Sequence, residues 1–298
     1  MRKIGKLAQP AAMIFLLAAS VIALSCEQAQ PAVNGGLTVA VTILPQREFV
    51  ERLGGDRVEV VVMVPPGADP HTYEVKPDQM MALSKADMYA MVGSGLPFEL
   101  VWMPKLKAVN KKMLVVDCSQ GIKFAEIDNG DEHGQAEGLD THIWLSVRNA
   151  KVMVENIHNG LVRLDAGGRA YYQENRNTYL AELSQLDENL EQSLSVLQNR
   201  TFMVFHPAFG YFAGDYNLRQ LAVEQGGKEP TADYMVRLID EAKAAGIKVV
   251  FVSIQFNRRS AEIIAGEIGG SAVTIDPLAE NYVENMRHIT QALKGAMD

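Results

Sequence analysis

The sequence predicts an α/β protein with two lobes, each a mainly parallel sheet flanked by helices, joined by one long helix. Short apolar runs rich in β-branched residues alternate with helix-like segments in both halves of the chain. Strands that are apolar at nearly every position are covered on both faces, which is typical of parallel sheets. The length of 298 residues also favours two domains over one.

The N-terminal lobe is predicted over residues 37–167. Its strand candidates are the runs LTVAVTIL (37–44), VEVVVMV (58–64), MYAMV (88–92) and MLVVD (113–117). Helix-like segments such as QREFVERLGG and KPDQMMALSKA separate these runs. This alternation is the signature of strand–helix–strand units that build a parallel sheet.

The C-terminal lobe is predicted over residues 199–298 and repeats the alternation. Its strand candidates are TFMVFH (201–206), LRQLAVE (218–224), KVVFVSI (248–254) and SAVTID (271–276). Helix-like segments in this half end in glycine just before the next strand, as helix C-termini commonly do.

Residues 168–198 are predicted to form the long helix between the lobes. The stretch contains no proline, and its apolar residues recur at intervals of three, four or seven: Tyr172, Tyr179, Leu183, Leu186, Leu190, Leu194 and Leu197. About 30 helical residues would span roughly 45 Å. A coiled-coil seam is the alternative, but the stripe is short and flanked by two globular patterns. We therefore expect a rigid strut within a monomer.

The first 25 residues have the three-part layout of a secretory signal peptide. Three basic residues precede an apolar run of about 14 residues, which is shorter than the ~20 residues needed to cross a bilayer. Cys26 follows directly and resembles the lipidated cysteine of a bacterial lipobox. Residues 26–36 are polar with Pro and Gly, as in a flexible tether. We expect an extracytoplasmic protein, lipid-anchored to a bacterial membrane on its periplasmic side or at the cell surface.

The charge of the exported part is acidic. Removal of residues 1–25 takes away three positive and no negative charges, so the formal net charge goes from −8 to −11. An acidic surface disfavours nucleic acid as a partner and tolerates cations. Cys118 is then the second cysteine of a chain with two, and we interpret it as a buried apolar thiol.

Polar side chains follow the predicted strands at several places. His71 comes after the second strand, His142 precedes a helix, and both His206 and Asp276 end a strand directly before proline. Ligand-binding groups cluster outside the carboxyl ends of strands in doubly wound sheets. We therefore expect two residues from each lobe to face one another across a cleft.

Three imidazoles and one carboxylate suit Zn²⁺, which takes four N, O or S ligands in tetrahedral geometry. Mg²⁺ and Ca²⁺ prefer shells made of oxygen. The spacing alone is weak evidence, because a single histidine at a strand end can equally cap a loop or bond a backbone carbonyl.

Three motifs, GADPHTYEVKPD (67–78), DTHIWLS (140–146) and HPAFGYFA (206–213), resemble those of the metal-binding receptor lipoproteins of bacterial ABC importers, in the zinc branch of that family. The resemblance runs from about residue 37 to the C-terminus in the same order. It implies a rigid two-lobed protein that holds one ion between its lobes and delivers it to a membrane permease, without catalysis.

The resemblance also implies the ligands. His71, His142 and His206 match the histidines of the three motifs, and Asp276 in TIDPL matches the fourth position. Manganese-binding relatives usually have glutamate at the third position, so His206 favours Zn²⁺ as the transported ligand. Asp69 and Glu74 are candidates to orient the His71 ring.

Zinc receptors of this type often carry a histidine-rich acidic loop before the second motif. Here the corresponding residues 125–140 are acidic but contain one histidine, His133. A mobile solvated loop and a weak cation-capture segment are both open interpretations. The segment does not support a second tight zinc site.

Three alternatives remain. The same type of receptor could select Mn²⁺ or Fe²⁺. A zinc-dependent hydrolase would need an open coordination position, and the sequence has neither an H-E-x-x-H nor a G-x-S-x-G motif. In an adhesin or structural lipoprotein the metal would serve the fold, but structural sites use ligands close in sequence, whereas these span about 205 residues.

Overall fold

Two parallel sheets of four strands each form the framework of the protein, which we describe from a computed structural model. The structure describes residues 36–126, 138–224 and 230–297. The predicted signal peptide, the lipidation site Cys26 and His133 of the acidic loop lie outside these residues. The two sheets belong to one compact unit, Ala32–Asp298. Within the described ranges, no helix is both long enough and apolar enough to cross a membrane.

The first sheet has the strand order β2-β1-β3-β4, with every neighbouring pair parallel. Its strands are β1 (Leu37–Val41), β2 (Val58–Val62), β3 (Met88–Met91) and β4 (Leu114–Asp117). The order places β1 and β3 in the centre, and their apolar side chains are largely buried. Such two-sided burial is what the continuous apolar runs predict.

The helices of the first lobe are α1 (Leu44–Gly54), α2 (Pro77–Leu83), α3 (Pro97–Val109) and α4 (Val147–Leu164). Proline occupies the first turn of α1, α2 and α3. A backbone N–H in this turn has no acceptor within the helix, so its absence in proline costs no hydrogen bond, and the fixed φ of proline suits the helix. Ser146 caps α4 by accepting a hydrogen bond from the backbone N–H of Asn149.

The second sheet repeats the topology, with the order β6-β5-β7-β8 and parallel pairing throughout. Its strands are β5 (Thr201–Val204), β6 (Arg219–Ala222), β7 (Val249–Ser253) and β8 (Ser271–Ile275). Its helices are α6 (Gly210–Asp215), α7 (Ala232–Ala244), α8 (Arg258–Glu267) and α9 (Tyr282–Met297).

The long helix between the sheets is α5, Arg169–Ser195. All seven residues of the predicted apolar stripe are buried, and α5 packs against α1 and α4 of the first lobe and α9 of the second. Its 27 residues span roughly 40 Å. The predicted fold class, two parallel-sheet lobes joined by one long helix, is confirmed. The residue boundaries of the lobes stay a prediction.

One hydrophobic core runs from β1 through α5 to β5. Buried hydrogen bonds also cross between the lobes. Among them, the indole Nε1 of Trp144 donates to the carbonyl of Pro277 at 2.9 Å, and the Tyr282 hydroxyl donates to the carbonyl of Trp144 at 2.9 Å. Because interfaces that are both apolar and hydrogen-bonded resist sliding, the two sheet edges are held at a fixed separation.

Candidate metal centre

His71 lies in the loop that follows β2. The carboxylate of Asp69 accepts a hydrogen bond from the backbone N–H of His71 at 2.9 Å, and the carbonyl of Pro70 accepts one from Phe98 at the start of α3. Asp69 therefore shapes the loop backbone and does not hold the imidazole by a hydrogen bond. Glu74, the other candidate for orienting this ring, is exposed.

His142 lies between β4 and α4, and only 4% of it is exposed. Its ring Nδ1 is 2.8 Å from Oδ1 of Asp140, and the same oxygen accepts from the backbone N–H of His142 at 2.9 Å. Asp140 is itself buried, and Tyr211 donates to its carbonyl. An ionised carboxylate can only accept, so the proton lies on Nδ1 and Nε2 keeps a free lone pair.

His206 follows β5 and is oriented in the same way from the other lobe. Its Nδ1 is 2.7 Å from Oε2 of Glu224, a residue just beyond the end of β6. The ring of Phe256 stacks on the imidazole with 4.7 Å between centroids. Nε2 of His206 is again the nitrogen left free for a ligand.

The three imidazoles converge on one point. Nε2 of His142 is 3.3 Å from Nε2 of His71 and 3.1 Å from Nε2 of His206, and one potential ligand atom from each residue lies within 4.8 Å of the others. Four ligands at 2.0–2.1 Å around a tetrahedral Zn²⁺ lie roughly 3.3 Å from one another. The two nitrogen separations from His142 therefore match the edge of a zinc coordination tetrahedron.

The charge state of the site suits a cation. Burial lowers the pKa of His71, and nearby His206 lowers it further. Burial also lowers the pKa of His206, opposed in part by its hydrogen bond to Glu224. Both rings are therefore neutral near pH 7, and a neutral imidazole is the form that binds a metal.

Asp276, the fourth predicted ligand, follows β8. Its Oδ1 accepts from Nε2 of Gln255 at 3.1 Å and from the backbone N–H of Leu278 at 2.9 Å, and its carbonyl accepts from Asn285. The structure brings His71, His142 and His206 together but does not include the Asp276 carboxylate in that group. Direct ligation by Asp276 stays a prediction.

The cavity at the histidines is small, with a volume of about 20 Å³. Besides the three imidazoles, its walls include Trp144, Gln255 and Phe256. A space of this size holds an ion or one or two water molecules, whereas sites for drug-sized ligands occupy about 300–1,000 Å³. The size of the cavity fits a bare cation and is far below that of a site for an organic ligand.

Sequence reasoning missed three polar residues at this site: Asp140, Glu224 and Gln255. Asp140 lies two residues before His142, inside the motif DTHIWLS, in which the histidine alone carries the metal-binding signal. Glu224 and Gln255 lie just past the ends of β6 and β7, so the strand-end rule that selected His206 also covers them. Their contacts with His206 and Asp276 reach over 18 and 21 positions and have no local sequence signal.

Comparisons with known proteins identify one family. The family model described as "ZnuA: Zinc-uptake complex component A periplasmic" matches residues 39–296. The high-affinity zinc uptake system protein ZnuA of Bacillus subtilis is 27% identical over 308 aligned positions, which cover 96% of this chain and 95% of that protein.

Two further matches bear on the metal. The manganese-binding lipoprotein MntA of Halalkalibacterium halodurans is 29% identical over 266 positions, covering 85% of this chain and 86% of that protein. A crystal structure of a ZnuA deletion mutant with zinc bound is 42% identical, covers 88% of this chain and 98% of its own, and superposes with a TM-score of 0.83.

Proposed function

This chain belongs to the ZnuA family of periplasmic zinc-uptake components, and from that premise we propose how it holds and delivers its ion. It is a zinc-binding receptor of an ABC importer and not an enzyme. Zn²⁺ is its transported ligand.

His71, His142 and His206 bind Zn²⁺ through their Nε2 atoms. The observation that supports this assignment is the pair of nitrogen separations, 3.3 Å and 3.1 Å, which equal the ligand spacing around tetrahedral zinc within about 0.3 Å. Asp140 and Glu224 hold the rings of His142 and His206 with Nε2 directed at the ion. Asp276 is the residue that the sequence predicts for the fourth position.

Capture takes place in a cleft whose walls move little. The core shared by the lobes, helix α5 and the bond from Trp144 to Pro277 hold the sheet edges together. A preorganised site loses little conformational entropy when it binds an ion. Release then requires a partner that separates the histidines, and the permease of the uptake complex supplies that partner.

Lipidation of Cys26 would keep the receptor at the membrane that carries the permease. The residues that follow it, 27–36, act as the tether, and the receptor works as a monomer. Support comes from the signal-peptide layout of the sequence and from the lipoprotein names of relatives such as the manganese-binding MntA.

Transport of Mn²⁺ is the second candidate, because a manganese-binding relative is 29% identical to this chain. Three nitrogen donors favour zinc, since Mn²⁺ is better suited to carboxylate and water oxygens. A hydrolase is excluded by the family, and the cavity of about 20 Å³ is far smaller than sites that hold organic ligands.

The test is metal analysis of the mature chain purified without added zinc, followed by competition between Zn²⁺ and Mn²⁺. We expect one zinc per chain and no displacement by a large excess of Mn²⁺. The metal-free protein should stay folded and melt at a lower temperature, because a ligand that binds only the folded state stabilises it. Displacement of zinc by comparable Mn²⁺ would favour the second candidate, and unfolding on chelation would indicate a structural site.

A further inference from the structure

Gln255 lies just beyond β7, next to the histidine site. It lines the same cavity as His71, His142 and His206. Its neighbour Phe256 stacks on His206 and donates its backbone N–H to Ser253 at 3.0 Å. A tight turn therefore holds Gln255 beside the imidazole of His206.

The contact with Asp276 sets the orientation of the Gln255 amide. Nε2 of Gln255 is 3.1 Å from Oδ1 of Asp276. A carboxylate can only accept hydrogen bonds, so the amide must present its NH₂ group to Asp276. The amide oxygen is thereby directed away from that carboxylate.

The oxygen has no partner of its own. Oε1 of Gln255 is buried and forms no hydrogen bond with any described residue. Buried acceptors in folded proteins are nearly always satisfied by protein, water or a bound ion. An unpaired oxygen on a residue that lines the same cavity as three imidazoles therefore indicates a bound group that the amide contacts.

Resting on the proposed function, we infer that Oε1 of Gln255 is the oxygen donor that completes the cation site with the three histidines. Asp276 is then a positioning residue that acts on the ion through the Gln255 amide. A tetrahedral zinc site with three imidazoles has one position left, and side-chain amide oxygens bind other divalent cations such as Ca²⁺. This assigns Gln255 a role that the sequence predicts for Asp276.

The test measures zinc affinity of the mature chain, by competition with a chelating dye, in Gln255→Met, Asp276→Ala, Asp276→Asn and the double variant Gln255→Met/Asp276→Ala. Methionine keeps the length of the side chain and removes the amide oxygen. We expect Gln255→Met and Asp276→Ala each to weaken binding on the order of ten- to hundred-fold. The double variant should be no weaker than the worse single one, because both act through one contact.

Asp276→Asn separates positioning from ligation. The asparagine oxygen can still accept from Nε2 of Gln255, so we expect an affinity within about three-fold of wild type. Co²⁺ gives a second measurement, since the intensity of its visible absorption reports coordination number. Gln255→Met should change that spectrum, and Asp276→Asn should not. Ile254→Ala is the matched control, as this side chain is the exposed neighbour of Gln255.

Wild-type affinity and an unchanged Co²⁺ spectrum in Gln255→Met would overturn the inference. If Asp276→Asn then lost as much affinity as Asp276→Ala, Asp276 would be the direct ligand. If the histidines were not the zinc ligands, the pattern would differ, because His142→Ala would then bind zinc with wild-type affinity.

Discussion

The two lobes share a topology but use it differently. In the C-terminal lobe, all four strands lead directly to a polar residue at or beside the metal centre: His206 after β5, Glu224 after β6, Gln255 after β7 and Asp276 after β8. In the N-terminal lobe, β2 leads to His71, and the second histidine comes from the segment before α4.

The ends of β1 and β3 in the N-terminal lobe are occupied by hydrogen bonds within that lobe. The buried carboxylate of Glu99 accepts from Thr42 after β1 and from the backbone N–H groups of Val92 and Gly93 after β3. Burial raises the pKa of Glu99, and these bonds oppose that rise. The shared topology provides positions at a sheet edge in both lobes, whereas the chemistry of the residues there decides whether the edge binds a ligand or stabilises its own lobe.

The largest expected effect tests whether both lobes are required. His142→Ala and His206→Ala should each weaken zinc binding by more than about 100-fold. This loss is larger than the loss expected when a residue that only orients a ligand is removed. The measurement is dye competition, with circular dichroism to check the fold. His288→Ala is the control, since this histidine is exposed on α9. Full affinity in His206→Ala alone would mean that the N-terminal lobe binds the ion unaided.

The second prediction compares the carboxylates that orient the two histidines. Asp140→Asn and Glu224→Gln should each reduce zinc affinity by about ten- to hundred-fold. We expect Asp140→Asn to have the larger effect, because Asp140 is buried and also accepts from the backbone of His142. Isothermal titration would measure both. Equal losses would show that the backbone contact adds nothing.

The third prediction concerns pH. The lowered pKa values of His71 and His206 mean that the folded, metal-free protein binds fewer protons than the unfolded chain near the ordinary histidine pKa of about 6.5. Its stability should therefore be fully present above that pH and fall as the pH drops below it.

Zinc affinity should change with pH in the same direction as stability. It should be nearly constant above pH ~6.5 and then fall by about ten-fold per pH unit for each proton that displaces the ion. Urea unfolding and dye competition across this range are the two measurements. An affinity that already falls steeply between about pH 8 and pH 7 would contradict the lowered pKa values.

The smallest expected effect concerns the connection between the lobes. Trp144→Phe keeps an aromatic ring beside His142 but leaves the carbonyl of Pro277 without its buried donor. We expect a loss of about 1–3 kcal/mol in the free energy of unfolding with little change in zinc affinity. Denaturant unfolding measures the first quantity. A large loss of affinity at unchanged stability would mean that the contact positions His142.

Much of the fold follows from local patterns. The apolar stripe from Tyr172 to Leu197 predicts α5 because helical periodicity is a property of neighbouring residues. The runs around β1 and β7 predict buried strands for the same reason. The histidine candidates also came from local context, since each lies in a motif near a strand end or a helix start.

What the sequence determined by itself was the alternation of strands and helices and the long helix, and it named three histidines as candidate ligands. The tertiary structure alone decided that Nε2 of His142 lies about one zinc tetrahedron edge from Nε2 of His71 and from Nε2 of His206. It also decided that Asp140 and Glu224 hold two of the rings and that Asp276 bonds Gln255. The physical reason is range: periodicity and turn chemistry act between near neighbours, whereas side-chain orientation at the cleft depends on packing between segments far apart in the chain.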